Sequence, residues 1–263
     1  MAPRRTLHKR ILNCLPSQNR EQDWTMSTAR AAGVLTAGPL PTSVDLRASW
    51  WTIGDQGQTG SCVGWASADS VIRWHLVKAG AIGKTQRLSP RFLWMAAKET
   101  DEFINRPTTF IESDGTSLKA ALDIARKYGV VLDRVLPFKS RKLYQGDANA
   151  FYAIAAQTRI ASYFNLGRDL NQWRVWLANN GPILTRLDVD ATWDNAKATG
   201  GNLDVYQAGT TRGGHAVALV GYTPDRFIVR NSWGTSVWGD KGFGYASVSY
   251  AQDAFTEAYG VSL

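Results

Sequence analysis

The order of apolar and polar positions divides the chain into two textures. From Ser61 to about Tyr128 the spacing is mainly helical. Leu118, Ala121, Leu122 and Ala125 fall at i, i+3, i+4 and i+7, which predicts a helix opened by Thr116 or Ser117 and ended by Gly129. Ser89-Pro90 places a capping hydroxyl before a proline at a first helical position, ahead of the run RFLWMAAK. A third helix is predicted from Cys62 through Ala79, capped by Ser61 and stopped by Gly80. From about Ile183 the runs are short and β-prone, separated by turn residues: 215–222 (HAVALVGY), 226–230 (RFIVR) and 243–250 (FGYASVSY).

A helical half followed by a sheet half implies an α+β protein of two lobes with a cleft between them. The helical lobe is expected over about 41–150 and the β lobe over about 151–263. Residues 1–26 are polar and basic, with isolated apolar positions at Ile11, Leu12, Leu15 and Trp24. The small-residue stretch from Ser27 to Pro41 reads as a linker, so residues 1–40 form an arm ahead of the globular part.

Composition narrows the function. The longest apolar runs fall far short of the roughly 18 residues a membrane helix needs, so no span is expected. The net charge of +8 would suit a nucleic-acid binder, but Arg4, Arg5, Lys9 and Arg10 carry about half of it at the N-terminus. No ladder of alternating aromatic and basic residues follows. A mildly basic solvated surface is the better reading, with no nucleic-acid partner. With only Cys14 and Cys62, neither a disulfide framework nor a paired-cysteine metal site is available, and with three histidines no structural zinc or other cofactor is expected. The basic residues 1–12 are not followed by an apolar core, so no signal peptide is read and the cytoplasm is the default, with export by another route left open. The chain is expected to act as a monomer.

The segment Asp55-Gln56-Gly57-Gln58-Thr59-Gly60-Ser61-Cys62 leads into a predicted helix. A helix N-terminus offers unpaired N–H groups and partial positive charge, which favours a thiolate. Gln56 can direct its amide to the same point and, with the Cys62 backbone N–H, supply two donors for an oxyanion. Alone, the segment reads equally well as a buried cysteine after a Gly-rich loop. His215 opens a strand, and Asn231-Ser232-Trp233-Gly234 closes the next one. The turn Tyr222–Asp225 makes these strands a hairpin, and positions 215 and 231 are symmetric about residue 223. Asn231 is therefore expected opposite His215, orienting its imidazole, with Trp233 roofing the hydrogen bond. Cys, His and Asn then complete a nucleophile, a base and an orienter, with Gln56 for the oxyanion.

Together the motifs Gln56-Gly57…Gly60-Ser61-Cys62, Asp114-Gly115, Gly181-Pro182-Ile183, His215-Ala216-Val217 and Asn231-Ser232-Trp233-Gly234 resemble those of the papain-like cysteine peptidases, over about residues 41–263. The resemblance is to a bacterial-type branch without the usual disulfides. It implies a papain-like two-lobe fold with a helical left lobe and an antiparallel, barrel-like right lobe. It also implies that Cys62, His215, Asn231 and Gln56 are catalytic, and that a peptide or protein is the substrate. Gly115, Thr116, Gly214, Ala216 and Trp233 then line the substrate groove, with backbone hydrogen bonds from Gly115. Arg186, on the strand after Gly181-Pro182, is read either as reaching the main specificity pocket and favouring a polar or acidic residue, or as a surface arginine paired with a carboxylate. Transfer of the acyl group to another nucleophile, or a silent peptide-binding groove, are the alternatives. Residues 1–40 are expected either to cover the groove, anchored by Leu12, Leu15 or Trp24, or to be a free tail; Cys14 has no assigned role.

Overall fold

The computed structural model describes residues 10–35, 38–100, 114–139 and 146–263; Arg4, Arg5 and Lys9 lie outside them. The first half is built around one long helix. It starts as α2 (Cys62–Gly64), widens into a π-helical stretch over Trp65–Ile72 and finishes as α3 (Arg73–Lys78). Gly80, at φ +72°, stops it, as its place after the last apolar turn predicts. Against it pack α4 (Pro90–Thr100) and α5 (Leu118–Lys127). Both carry their predicted caps. The Ser89 hydroxyl accepts from the Phe92 N–H (3.0 Å), and Ser117 opens α5 by accepting from the Ala120 N–H (3.2 Å). Gly64 lies so close to the Pro90 carbonyl and the Trp94 side chain that no Cβ fits there, which lets the two helices meet at the Cys62 end.

Among the described residues the strands form one eight-stranded sheet, all of it but the first strand drawn from the second half of the chain. In chain order these are β1 (Val44–Asp45), β2 (Ser162–Asn165), β3 (Ile183–Val189), β4 (Asn202–Leu203), β5 (Gly213–Tyr222), β6 (Arg226–Arg230), β7 (Phe243–Ser247) and β8 (Phe255–Ser262). They lie in the order β2-β8-β3-β5-β6-β7-β4, with β1 added beside β5; every pair is antiparallel except β4 with β7. The helices α6 (Ala148–Ala156), α7 (Leu170–Asn179), α8 (Thr192–Asn195) and α9 (Val248–Ala254) join and cover it. The last strand-like run departs from expectation. Only 243–247 is strand, because the Ser247 hydroxyl accepts from the Tyr250 N–H (3.0 Å) and caps α9 in place of further extension. The expected linker also differs: Met26–Ala31 forms a short helix, α1, whose Met26 and Ala29 join the apolar core with Phe164 and Trp176.

The halves are joined by a buried charge cluster. Asp69, in the π-helical stretch, pairs with Arg73 (3.2 Å), with Arg230 of β6 (3.2 Å) and with Arg87 (3.4 Å). Burial pushes the Arg230 guanidinium down to about 10.

A buried histidine sets part of the acid stability. Burial pushes His75 of α3 down from an ordinary 6.5 to about 4. Between these values the unfolded chain binds a proton that the folded chain refuses. Stability therefore falls as pH drops from 6.5 to about 4, by about 3 kcal/mol in all, and His75 contributes nothing to the slope above 6.5. Urea unfolding at about pH 7 and about pH 4 should show this loss in the native chain and less of it in His75→Phe.

Candidate active site

Cys62 begins the long helix at the floor of the junction between the halves, fully buried. The loop before it is tied across that junction: the Gln56 N–H donates to the Ser232 carbonyl (2.9 Å), and Asp55 bridges to Trp233. Gly57 turns at φ +62°, the left-handed region that glycine tolerates. Within the loop the Thr59 hydroxyl donates to the Gln56 carbonyl (2.7 Å) and shares a hydrogen bond with the Ser61 hydroxyl (2.6 Å). Ser61 thus stands at the N-cap position without capping by its side chain, since its oxygen is engaged in the loop. The Gln56 side chain is clamped at both ends. Its Oε1 accepts from the Ser232 hydroxyl (2.8 Å) and its Nε2 donates one hydrogen to the Thr59 carbonyl (2.9 Å). A primary amide has two hydrogens on nitrogen, so this clamp leaves one further donor.

His215 lies on β5 and Asn231 one residue past β6, and they meet as expected: His215 Nε2 and Asn231 Oδ1 are 2.8 Å apart. The route differs from the symmetric hairpin. Ala218 pairs with Arg230 and Leu219 with Val229, but Tyr222 pairs with Phe227, so the register slips near the turn. Asn231 therefore reaches His215 diagonally. Its orientation is fixed independently, because Oδ1 also accepts from the Ser232 N–H (2.8 Å). An oxygen that only accepts requires Nε2 of His215 to carry its hydrogen, which leaves Nδ1 for Cys62. The Cys62 thiol is held well below its ordinary range. The largest cause is a hydrogen bond from the Cys14 thiol; His215 and the Ala216 backbone act in the same direction, and burial opposes them. Trp233 covers the imidazole, with ring centres 4.9 Å apart, and Trp193 meets it edge-on at 5.5 Å. Trp193 was not singled out from the sequence; it follows β3 without any periodic signal.

The N-terminal segment runs through this junction. Arg10 donates to Asp55 (2.7 Å) and to the Gly57 carbonyl (2.6 Å) at one end. The Cys14 N–H donates to the Gly214 carbonyl (3.0 Å), and the Leu15 N–H to the Thr116 carbonyl (3.1 Å). The Ser17 N–H reaches Glu257 on β8 (2.9 Å). The Asn13 and Cys14 carbonyls press against Gly115 and Gly214 where any Cβ would collide. The anchor is not Trp24, which is 51% exposed, and Leu12 and Leu15 are only half-buried; Cys14 is the buried one, at 2%. Arg186 is paired with a carboxylate, as one of its two readings expects, but it is buried and not at the surface. Its Nε donates to the Cys14 carbonyl (3.0 Å), its Nη1 to Thr256 (2.7 Å), and it pairs with Asp188 (3.0 Å). Glu257 sits opposite it on β8 and is also buried, a neighbour that only the strand register reveals.

Known proteins resemble this chain in sequence and in fold. The papain family cysteine protease profile matches residues 40–258. Macrodontain-1 of Ananas macrodontes is 26% identical over 213 residues, covering 78% of this chain and 87% of its own. Cathepsin B-like CP3 of Giardia intestinalis is 26% identical over 230 residues, covering 80% and 70%. Among solved structures, xylellain, a cysteine protease from Xylella fastidiosa, superposes with a TM-score of 0.80 at 20% identity, covering 97% of this chain and 96% of its own. Digestive procathepsin L 3 of Tenebrio molitor larval midgut superposes with a TM-score of 0.66 at 19% identity, covering 96% and 77%. The fold is thus papain-like. The chain belongs to the papain family of cysteine proteases and is a hydrolase acting on peptide bonds. Among the described residues no helix is long and apolar enough to cross a membrane.

Proposed function

We propose that Cys62 is the nucleophile of this peptidase and that residues 10–17 act as its built-in inhibitor. The thiolate attacks the scissile carbonyl, and the oxyanion is received by the Cys62 backbone N–H and the second amide hydrogen of Gln56. His215 delivers a proton from Nδ1 to the leaving amine, giving a thioester, and then activates water to release the acid. Asn231 is a positioning residue that holds Nε2. The observation that carries this reading is the His215–Asn231 contact at 2.8 Å, with its direction fixed by the Ser232 N–H. No metal or organic cofactor enters the scheme.

The arm uses the backbone groups that a substrate strand would need, the carbonyls of Gly214 and Thr116 and the surface of Gly115. It escapes cleavage because the Cys14 carbonyl is turned to the Arg186 guanidinium, away from the oxyanion donors. With the arm displaced, Gly115, Thr116, Gly214 and Ala216 flank a substrate backbone and Trp233 forms part of the wall. Arg186, freed from Cys14, favours a polar or acidic side chain in the adjoining subsite.

Steady-state hydrolysis of a fluorogenic peptide by a chain shortened to begin at Gln18 tests the catalytic set. Gln56→Ala in that chain should lower kcat by about 10²–10³, the usual effect of losing one oxyanion donor. Asn231→Ala should lower kcat with little change in KM. Both variants within threefold of their parent would overturn the assignment.

A further inference from the structure

The scheme gives no chemical role to the arm's thiol. Cys14 and Cys62 are the chain's only cysteines, separated by more than forty residues, yet both are buried in one apolar cluster, with Cys14 pinned to Gly214 beside His215 and each thiol acting on the other's ionisation. Several independent contacts put Cys14 there. Its N–H is held by the Gly214 carbonyl and its own carbonyl by Arg186, with Arg10 and Ser17 fastened on either side. As a cover for the groove the arm needs none of this sulfur chemistry, because a serine or alanine would leave the same backbone contacts.

We propose that Cys14 and Cys62 form a modification site, a pair that a hydroperoxide oxidises to a disulfide and so locks the arm reversibly over the cleft. The proposal rests on the reading of Cys62 as the reactive thiolate. When the arm lifts, Cys62 becomes accessible and its sulfur attacks the peroxide oxygen. The O–O bond breaks, one water leaves after proton uptake, and Cys62 becomes a sulfenic acid. When the arm returns, the Cys14 sulfur attacks the Cys62 sulfur. The S–O bond breaks, and the departing hydroxide takes the Cys14 proton to leave as the second water. Two thiols and one hydrogen peroxide give one disulfide and two waters, with two electrons passing to the peroxide; an alkyl hydroperoxide would leave its alcohol in place of the first water.

The surroundings suit this order. With the arm lifted, Cys62 keeps His215 and the Ala216 backbone, which favour its thiolate, whereas Cys14 leaves the site with no such partner, so Cys62 is the sulfur that reacts first. Once Cys62 is a neutral sulfenic acid its charge no longer opposes ionisation of Cys14, while the Arg186 guanidinium still favours it. A resolving thiol also protects the nucleophile, since sulfenic acid left alone proceeds to sulfinic acid, which thiols do not reduce.

The test uses the full chain treated with hydrogen peroxide, mapped as non-reduced peptides by mass spectrometry and assayed before and after dithiothreitol. The expected product is a peptide pair linked through Cys14 and Cys62, lighter by two hydrogens, with peptidase activity lost and then restored by the reductant. Cys14→Ser should lose activity to peroxide without recovery, its Cys62 carried to sulfinic acid. Sulfinic acid at Cys62 with no linked peptide in the native chain would overturn the proposal, as would equal recovery in Cys14→Ser. The linked peptide is read by mass and not by turnover. A chain that forms it but hydrolyses no peptide after reduction would count against the catalytic reading alone.

Discussion

A chain shortened to begin at Gln18 should show a kcat/KM for small peptides about a hundredfold above that of the full chain, with kcat nearly unchanged. The arm competes with substrate for the same backbone groups at Gly214 and Thr116, so it lowers the fraction of molecules able to bind and raises the apparent KM by that factor. A hundredfold corresponds to about 3 kcal/mol of closure. That is a reasonable net for two backbone hydrogen bonds in the groove, the Arg10–Asp55 pair and the Arg186 bond to Cys14, after the entropy of ordering a short strand. The place of the cut matters. Asp23 pairs with Lys119 (2.8 Å) and accepts from Tyr259 (2.7 Å), and Met26, Ala29 and Leu35 lie in the sheet's core. Removing everything before Pro41 would open that core and confuse activation with unfolding, whereas a start at Gln18 clears the groove and leaves these contacts. Equal kcat/KM in the two chains would show that residues 10–17 do not inhibit.

The largest stability effect is expected at Asp69. Its carboxylate is 1% exposed and faces the buried guanidiniums of Arg73 and Arg230, with Arg87 at the edge. Asp69→Ala leaves at least two buried cations repelling each other without a counter-charge, and breaking such a cluster from one side costs about 3–5 kcal/mol. The loss should appear as a lower urea midpoint with little change in slope. Because the cluster joins the π-helical stretch behind Cys62 to β6 in front of Asn231, activity should also fall below the unfolding transition. Replacing Asp69 together with its arginines by apolar residues should recover much of the stability, since an ion cluster of this kind is weak evidence of net stabilisation. A loss under about 1 kcal/mol in Asp69→Ala would mean that water or a neighbouring group compensates the charges.

The division into helical and sheet halves was legible because each rests on local signals. The caps at Ser89 and Ser117 and the stop at Gly80 depend on a few adjacent residues, and all are present. The candidate site was legible as a set of motifs that carry chemistry as well as pattern, and the contact expected between His215 and Asn231 is present. Where the reading failed, long-range packing decided. The hairpin's register slip between Leu219 and Tyr222 cannot be counted from a turn, yet side chains long enough to meet diagonally still join His215 to Asn231. The π-helical widening at Trp65–Ile72, which carries the buried Asp69, has no signal in the local periodicity. The stretch Ser27–Pro41 looks like a linker because its residues are small, but Met26 and Ala29 find an apolar surface on the sheet. Cys14 was the largest omission. Nothing in the adjacent residues marks it, and only the threading of the arm buries it in the cluster that holds Cys62.

The most direct test of the catalytic assignment is hydrolysis of a fluorogenic peptide pool under reducing conditions by the chain beginning at Gln18, beside the same chain carrying Cys62→Ala. Turnover by the first and none by the second is the predicted result. Equal turnover by both would place the nucleophile elsewhere, and no turnover by a folded parent chain would contradict the Cys62, His215 and Asn231 assignment outright.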